Sequence, residues 1–326
     1  MGILKLEYLL SFTFGALGAW IVTCFGNTLS LLDHPNERSS HYIPTPKGGG
    51  IGILISFVFV CIFHKINFTF WFPLSIASIV GFCGDRIELS PKTRLFIQFL
   101  AAFALILGMD HSKFNIILLV LFSLPFAVFI VGTANFYNFM DGINGIAGIT
   151  GIVGFGLLAF YASCLGSNSP LITLAICISL ACLGFLPFNI PRAKVFMGDV
   201  GSILLGFVFA GMVVYFSKSF LDFICLSSFL FPFYADELTT MMVRLKNGEN
   251  LTKAHRRHLY QLLANEYKIP HWKVSLGYGL FQFLIGISIL LVKNMGLIMV
   301  VSTLVFYGCF FTICSFIFRK KTTHFA

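Results

Sequence analysis

The segment NFYNFMDGINGIAG, residues 135–148, places a polar side chain at every third position within an otherwise apolar region. The polar residues are Asn135, Asn138, Asp141 and Asn144. Amide and carboxylate groups are costly at membrane depth unless they line water, a metal or a ligand. Because steps of three residues drift by about 60° around a helix, one continuous helix would spread them over half its circumference. Gly142 and Gly145 therefore predict a helix that ends here, so that its last turn and the following loop line one cavity.

Four further segments collect charged residues and glycines between apolar stretches. They are DHPNERSSHYIPTPKGGGIGI at 33–53, GDRIELSPKTRLFIQ at 84–98, FMGDVGSILLG at 196–206 and RLKNGENLTKAHRRHLYQLL at 244–263. In the first, Lys47 precedes three glycines that let the backbone approach a ligand or another helix closely. Such a turn before a helix can also hold phosphate. In the third, Asp199 is either a helix N-cap or an oxygen ligand for Mg²⁺.

The fourth segment holds a cluster of histidines and arginines. His255 and His258 stand three positions apart and can share a helix face, with two arginines between them. We see no third zinc ligand nearby, so anion binding is the better interpretation, with a solvated basic face as the alternative. Together, the carboxylates, amides and cationic groups predict Mg²⁺-assisted phosphoryl chemistry on a nucleotide-type substrate at a membrane surface.

Membrane helices must position these groups. The chain has 326 residues, of which 57% are hydrophobic and 11% charged, and its mean hydropathy is +0.90. Since soluble domains carry about 25% charged residues, this composition excludes a soluble globular protein. The formal charge of +9 has no soluble basic domain to present it, so we expect no nucleic-acid partner. The nine cysteines form no CxxC pair, and we expect neither a disulfide framework nor a zinc site.

The apolar stretches predict an all-α polytopic membrane protein with a single domain, 1–326, and ten or eleven spans. The eleven stretches are about 8–32, 51–63, 66–83, 95–109, 114–134, 146–165, 171–188, 200–217, 219–240, 274–292 and 296–318. Most lysines and arginines lie in alternate gaps, which the positive-inside rule makes cytoplasmic. The N-terminus is then outside and the C-terminus cytoplasmic. The predicted cytoplasmic site loops are 33–50, 84–94, 134–145, 189–199 and 241–273.

In their order and spacing, the five polar segments resemble the bacterial polyprenyl-phosphate N-acetylhexosamine-1-phosphate transferases of glycosyltransferase family 4, which include MraY-, WecA- and WbpL-type enzymes. The resemblance extends from residue 33 to about residue 263, and AHRRHLYQ is most similar to the WbpL-type branch, which starts O-antigen chains of lipopolysaccharide. It implies that undecaprenyl phosphate attacks the β-phosphorus of a UDP-N-acetyl sugar, carrying GlcNAc, QuiNAc or FucNAc, and that UMP leaves.

The resemblance implies further properties of the protein. Mg²⁺ is required, with Mn²⁺ as an alternative. The enzyme is a multi-pass protein of the bacterial inner (cytoplasmic) membrane, and a homodimer is one option for its assembly. The nucleophile is a phosphate whose second pKa is about 6, so it needs little general base, and catalysis depends mainly on positioning and charge neutralisation.

The resemblance also assigns roles to individual residues. Catalytic roles are assigned to Asp85 and Asp141, and metal-binding roles to Asp199 and Asn138. The substrate-binding candidates are Lys47, Arg94, Asn144, His255, Arg256 and His258. Among these, Arg94 matches a phosphate contact, Asn144 a uracil contact, and the histidine and arginine cluster a loop that grips the diphosphate and sugar.

Two positions depart from the family pattern. Gly84 stands where the family usually has the first acid of an Asp-Asp pair, so this chain lacks one carboxylate. Asn144 stands where bacterial members often have aspartate, although an amide still hydrogen-bonds a uracil edge. Two alternatives to an active transferase remain at this stage. One is a transporter or flippase for a lipid-linked or phosphorylated solute, and the other is an inactive relative that binds lipid or a partner.

Overall fold

The structure is a computed structural model that describes residues 5–35, 40–84, 89–109, 116–167, 169–251 and 255–322. Within these ranges the chain forms helices and one pair of two-residue strands, β1 (Leu32–Asp33) and β2 (Thr45–Pro46). The helices are α1 (Leu6–Phe25), α2 (Ile51–Phe63), α3 (Phe68–Gly84), α4 (Pro91–Leu107), α5 (Ile116–Met140), α6 (Ile146–Cys164), α7 (Pro170–Asn189), α8 (Asp199–Phe216), α9 (Phe220–Ser227), α10 (Phe231–Lys246), α11 (Leu259–Asn265), α12 (His271–Val292) and α13 (Leu297–Thr322).

Each of the eleven apolar stretches contains helix, because a lipid-embedded backbone must satisfy its hydrogen bonds internally. In the described part of the chain, seven helices are long and apolar enough to cross a membrane, whereas α2 and α3 are shorter. The stretch 219–240 is divided, because α9 ends at Ser227 and α10 begins only after a 3₁₀ turn, Ser228–Leu230. The protein is therefore an all-α polytopic membrane protein, while the count of ten or eleven spans and the orientation stay predictions.

Helix α8 lies at the centre of the bundle. Every residue from Val200 to Val213 is buried, and the helix packs against α2, α3 and α5. Ser78 on α3 donates from its hydroxyl to the carbonyl oxygen of Val200 at 2.6 Å, next to the start of α8. The first turn of α8 is thus fixed by its neighbours, and so is Asp199, which begins it.

A close helix contact joins the Gly-rich segment to the first turn of α8. If Gly50 carried a Cβ atom, it would lie 2.5 Å from the Cα atom of Gly201, so only glycine allows this approach. Strands β1 and β2 pair antiparallel, and Lys47, which follows β2, forms a parallel bridge with Phe196. These contacts bring the segments 33–50 and 189–199 side by side.

Candidate functional site

A polar cavity of about 310 Å³ lies where four of the five predicted site loops meet. It is lined by residues of the loops 33–50, 134–145, 189–199 and 241–273. Half of the residues predicted for the site line it, namely Lys47, Asn138, Asp141, Asn144 and Asp199. Segments that are far apart in sequence thus supply one set of polar groups at one end of the helix bundle.

The polar face of the cavity begins at the end of α5. This helix ends at Met140, and Gly145 adopts a left-handed conformation with a φ of 89° before α6 begins, as the two glycines predict. Asn138 lies in the last turn, and Asp141 and Asn144 lie in the loop. Asn135 differs from the expectation, because its amide nitrogen donates to Gln98 Oε1 at 2.7 Å instead of lining the cavity.

The start of α8 forms a second part of the cavity lining. Gly198, with a φ of 72°, occupies the N-cap position, so Asp199 stands in the first helical turn and the N-cap interpretation of this residue is wrong. A carboxylate in that turn is stabilised by the positive end of the helix dipole. The Arg94 guanidinium donates from Nη2 to Asp199 Oδ2, and the two side chains are 29% and 20% exposed. Arg94 therefore brings α4 to the edge of the site.

Side-chain oxygen atoms from α5 and α8 lie together. Ser202 Oγ donates to Asn138 Oδ1 at 3.1 Å, which ties the end of α5 to the first turn of α8. Within the described ranges, no group of three or more histidine, cysteine or acidic side chains could hold a metal ion. The cavity lining instead offers two carboxylates and an amide, those of Asp199, Asp141 and Asn138. Such hard oxygen donors suit Mg²⁺, which takes one or two carboxylates and completes its shell with water and substrate phosphate.

The Gly-rich loop contributes through close packing. The backbone N–H groups of Gly48 and Gly49 donate to the carbonyl oxygen of Phe196, and that of Gly50 donates to Met197, at 2.9–3.1 Å. All three donors are thus engaged within the chain, which does not support a phosphate cradle here. The glycines instead allow the close approach to a second helix, which was the other expectation for this segment. Lys47, which precedes them, lines the cavity.

The histidine and arginine cluster lies beside the cavity and does not line it. The buried His258 ring has Nε2 3.4 Å from Glu237 Oε2 and Nδ1 3.8 Å from Asp236 Oδ1. The His255 ring lies against it at an interplanar angle of 42°, with centroids 4.9 Å apart, and Arg256 forms an ion pair with Glu266 at 3.2 Å. Contact of His255, Arg256 and His258 with a diphosphate and sugar stays a prediction.

His255 does not act as a cationic residue of this cluster. Burial, followed by the nearby His258 ring and the Arg244 guanidinium, lowers the pKa of His255 to about 4. Because that value lies below the ordinary histidine pKa, His255 is neutral at pH 7. His255 therefore adds no positive charge to this loop at pH 7, whereas the sequence interpretation counted it among the anion-binding residues.

Several residues of the cavity were missed from the sequence. They are Asp33, Ser40, His41, Asn189, Phe196, Gln261 and His271. Asp33 and His41 belong to the first polar segment, and their side chains approach to 3.7 Å between Oδ2 and Nε2. Gln261 is the last residue of the AHRRHLYQ motif but was not singled out, and His271 is a single polar residue at the start of α12, outside the five quoted segments.

The family's acidic pair corresponds to Gly84 and Asp85 in this chain, and only Gly84 is among the described residues. Asp85 lies outside the described residues. A Cβ atom at Gly84 would have Arg94 Nε and Leu89 Cδ1 as its nearest neighbours, both at 3.8 Å, which is ordinary contact. A Cβ atom at this position would therefore lie beside Arg94 without a close contact.

A protein-family match covers the middle of the chain. The family model described as glycosyl transferase family 4 matches residues 67–217, which include Arg94, Asn138, Asp141, Asn144 and Asp199. Lys47 and the cluster at 255–258 lie outside that match.

Curated relatives extend the similarity over most of the chain. A phospho-N-acetylmuramoyl-pentapeptide-transferase of Staphylococcus saprophyticus is 30% identical over 280 residues, covering 75% of this chain and 86% of the relative. An undecaprenyl-phosphate alpha-N-acetylglucosaminyl 1-phosphate transferase of Thermotoga maritima is 28% identical over 274 residues, covering 82% and 85%. A decaprenyl-phosphate N-acetylglucosaminephosphotransferase of Mycobacterium leprae is 28% identical over 228 residues, covering 58% and 55%. The chain belongs to glycosyl transferase family 4.

Proposed function

We propose that this protein transfers an N-acetyl-aminosugar 1-phosphate from a UDP-sugar to undecaprenyl phosphate in the bacterial inner membrane. The observation that carries the proposal is the cavity where Asp199, paired with Arg94, faces the polar end of α5. Carboxylate, amide and guanidinium groups at one end of a membrane-helix bundle fit a diphosphate held beside a lipid phosphate. The three relatives carry the names of transferases for phosphorylated aminosugars, and two are named for a polyprenyl phosphate.

The reaction exchanges one phosphoanhydride for another. An oxygen of the lipid phosphate forms a bond to the β-phosphorus of the donor, and the bond from that phosphorus to the bridging oxygen breaks. UMP leaves with the bonding electron pair, and the product is a lipid-diphospho-sugar. Because the phosphate nucleophile is already largely dianionic at neutral pH, the protein supplies mainly positioning and charge neutralisation.

Individual residues in and beside the cavity would perform these tasks. Asp199 and Asn138 would hold Mg²⁺, and the bound ion would neutralise charge on the diphosphate, while Asp141 would orient the lipid phosphate. Lys47 and Arg94 offer positive charge to phosphate oxygens, and Asn144 offers an amide to the uracil. GlcNAc, QuiNAc and FucNAc are the candidate sugars, and initiation of O-antigen chains is the proposed role.

Purified protein in detergent tests the proposal directly. UMP release is measured with Mg²⁺, undecaprenyl phosphate and a panel of UDP-N-acetyl sugars. We expect one sugar to support UMP release that requires both lipid and metal. The absence of UMP with every sugar, from protein shown to be folded, would contradict the proposal. Uptake of a phosphorylated solute into liposomes by that same protein would support the transporter alternative.

Arg94→Gln tests the role of the cation beside Asp199. We expect kcat/KM for the UDP-sugar to fall by about 100-fold, because a fixed positive charge beside the cavity is lost. The Mg²⁺ concentration needed for half-maximal rate should not rise, because the Asp199 carboxylate remains. Lys92→Gln, on the exposed first turn of the same helix, is the matched control and should leave the rate unchanged. Equal losses in the two variants would contradict a specific role for Arg94.

Gly84→Asp distinguishes an active enzyme from an inactive relative. An added Cβ atom meets no close contact here, so we expect a folded variant whose rate stays within about tenfold of the wild type. Gly84→Asn provides the same shape without the charge. Activity in the aspartate variant alone, with none in the wild type, would instead support the inactive relative.

A further inference from the structure

A buried carboxylate outside the cavity holds the short helix α11 in place. Asp236, on α10, is fully buried and accepts hydrogen bonds from the backbone N–H groups of Leu259 at 2.8 Å and Tyr260 at 3.3 Å. Tyr278 Oη and Thr240 Oγ1 donate to the same carboxylate at 2.7 and 3.2 Å. Since α11 has only seven residues, it depends on such contacts for its position.

Helix α11 in turn supports the end of α5. Tyr260 is fully buried, and its hydroxyl donates to the carbonyl oxygen of Phe139 at 3.0 Å. Phe139 lies in the last turn of α5, where carbonyl groups lack partners within the helix. The hydroxyl also lies so close to the following turn that a Cβ atom at Gly142 would be 2.2 Å from it. Tyr260 therefore fixes the backbone on both sides of Asp141.

Two further residues of α11 reach the cavity or its wall. Gln261 lines the cavity, and its Oε1 accepts from the His258 backbone N–H at 3.2 Å. Asn265 donates from Nδ2 to Ser40 Oγ at 3.0 Å, and Ser40 also lines the cavity. A shift of α11 would thus move the cavity wall at several points together.

We propose that Asp236 is a positioning residue for the transfer reaction, acting through α11 and Tyr260 on the Asp141 turn. This inference rests on the proposed function. Asp236 itself does not line the cavity, so it touches neither the substrate nor the reacting atoms. Its carboxylate offers only acceptors to four donors, and an asparagine would turn one amide N–H₂ group toward them. The resulting mismatch displaces α11 from the end of α5.

The chain provides a matched control at the opposite end of the bundle. Asp222 is also buried and accepts from the Tyr161 hydroxyl at 2.8 Å and from the Ser219 hydroxyl at 2.8 Å. It follows α8, which runs 18 residues, about 27 Å, away from the cavity. Asp222→Asn therefore perturbs a similar buried Asp–Tyr pair far from the site.

A double-mutant cycle tests whether Asp236 acts through Tyr260. We expect Asp236→Asn to lower kcat for UMP release by about 100-fold, because small misplacements of reacting groups have effects of that size. Tyr260→Phe should lower it less, and the double variant should be no slower than Asp236→Asn alone, because both changes interrupt one path. Asp222→Asn should retain the wild-type rate. Multiplicative losses in the double variant, or an equal loss in Asp222→Asn, would overturn the proposal.

Limited proteolysis gives a readout that does not depend on activity. Trypsin cleavage after Arg256 and Arg257, just before α11, should be faster in Asp236→Asn than in the wild type and unchanged in Asp222→Asn. If Asp236→Asn does not fold, Tyr278→Phe removes one of the four donors, and both cleavage and kcat should change in the same direction but less. Cleavage at the wild-type rate in the folded variant would overturn the proposal. A wild type that releases no UMP would instead contradict the proposed function, and the cleavage result would still test the docking of α11.

Discussion

Replacing Asp199 with asparagine is expected to reduce lipid-dependent UMP release by about a thousandfold, which corresponds to about 4 kcal/mol of transition-state stabilisation. The substitution keeps the shape of the side chain and removes its charge. That charge lies in the first turn of α8, pairs with Arg94 and faces Asn138 and Asp141 across the cavity. A metal bound by charge and oxygen donors contributes several kcal/mol, so the loss of its central carboxylate has a large effect.

The measurement is the initial rate of UMP release over a range of Mg²⁺ concentrations. Asp222→Asn serves as the control, because it removes a buried carboxylate at the far end of the bundle and should keep the wild-type rate. The melting temperature in detergent shows that both variants are folded. A rate above one tenth of the wild type in Asp199→Asn at saturating Mg²⁺ would contradict the metal-binding role of this residue.

Gly50→Ala is expected to disrupt the site through the fold. The added methyl group would lie 2.5 Å from the Cα atom and 2.8 Å from the backbone nitrogen of Gly201, and 2.9 Å from the Met197 carbonyl oxygen. These are backbone atoms, which cannot move aside as a flexible side chain can, so we expect destabilisation of about 3 kcal/mol or more. Separation of α2 from α8 would also move Lys47 away from Asp199, and activity should fall with stability.

Thermal unfolding in detergent and UMP release measure the two effects. Gly156→Ala is the matched control, since no atom lies within 4 Å of a Cβ atom added there, on the exposed side of α6. That variant should unfold at or slightly above the wild-type temperature, because alanine is the better helix former. A Gly50→Ala protein with wild-type stability and activity would contradict the requirement for close contact between α2 and α8.

Hydrophobicity made the helices predictable. The stretches at 51–63, 146–165 and 171–188 match α2, α6 and α7 within one or two residues, because a helix in lipid extends as far as its apolar side chains. The break between α9 and α10 was not predicted, since apolar residues continue through Ser228–Leu230 and hydrophobicity alone does not report a 3₁₀ turn.

The polar residues at the end of α5 were predictable, because their types and the glycines that follow indicate one helix end. The glycines that end the helix predicted one cavity lined by Asn138, Asp141 and Asn144, and the structure confirms that these three residues share a cavity. Asn135 was grouped with them by spacing, but it lies about one turn earlier and pairs with Gln98. The spacing of polar residues does not show which of them faces a neighbouring helix.

Residues whose role depends on tertiary contact were not predictable. Asp236 lies in an apolar helix without a motif, and its importance is visible only once α10, α11 and α12 meet around it. Gln261 and His271 reach the cavity for the same reason. The cluster at 255–258 was expected on the site, yet it lies beside the cavity, where His258 is next to the buried acids Asp236 and Glu237 of α10.

The central claim is that this cavity joins a lipid phosphate to a sugar 1-phosphate. Its most direct test is the stoichiometry of products from the purified wild type, given Mg²⁺, undecaprenyl phosphate and the UDP-sugar selected from the panel. We predict one lipid-diphospho-sugar for each UMP, and neither product when lipid or metal is omitted. UMP without the lipid-linked product, or no UMP from folded protein with any donor, would contradict the account.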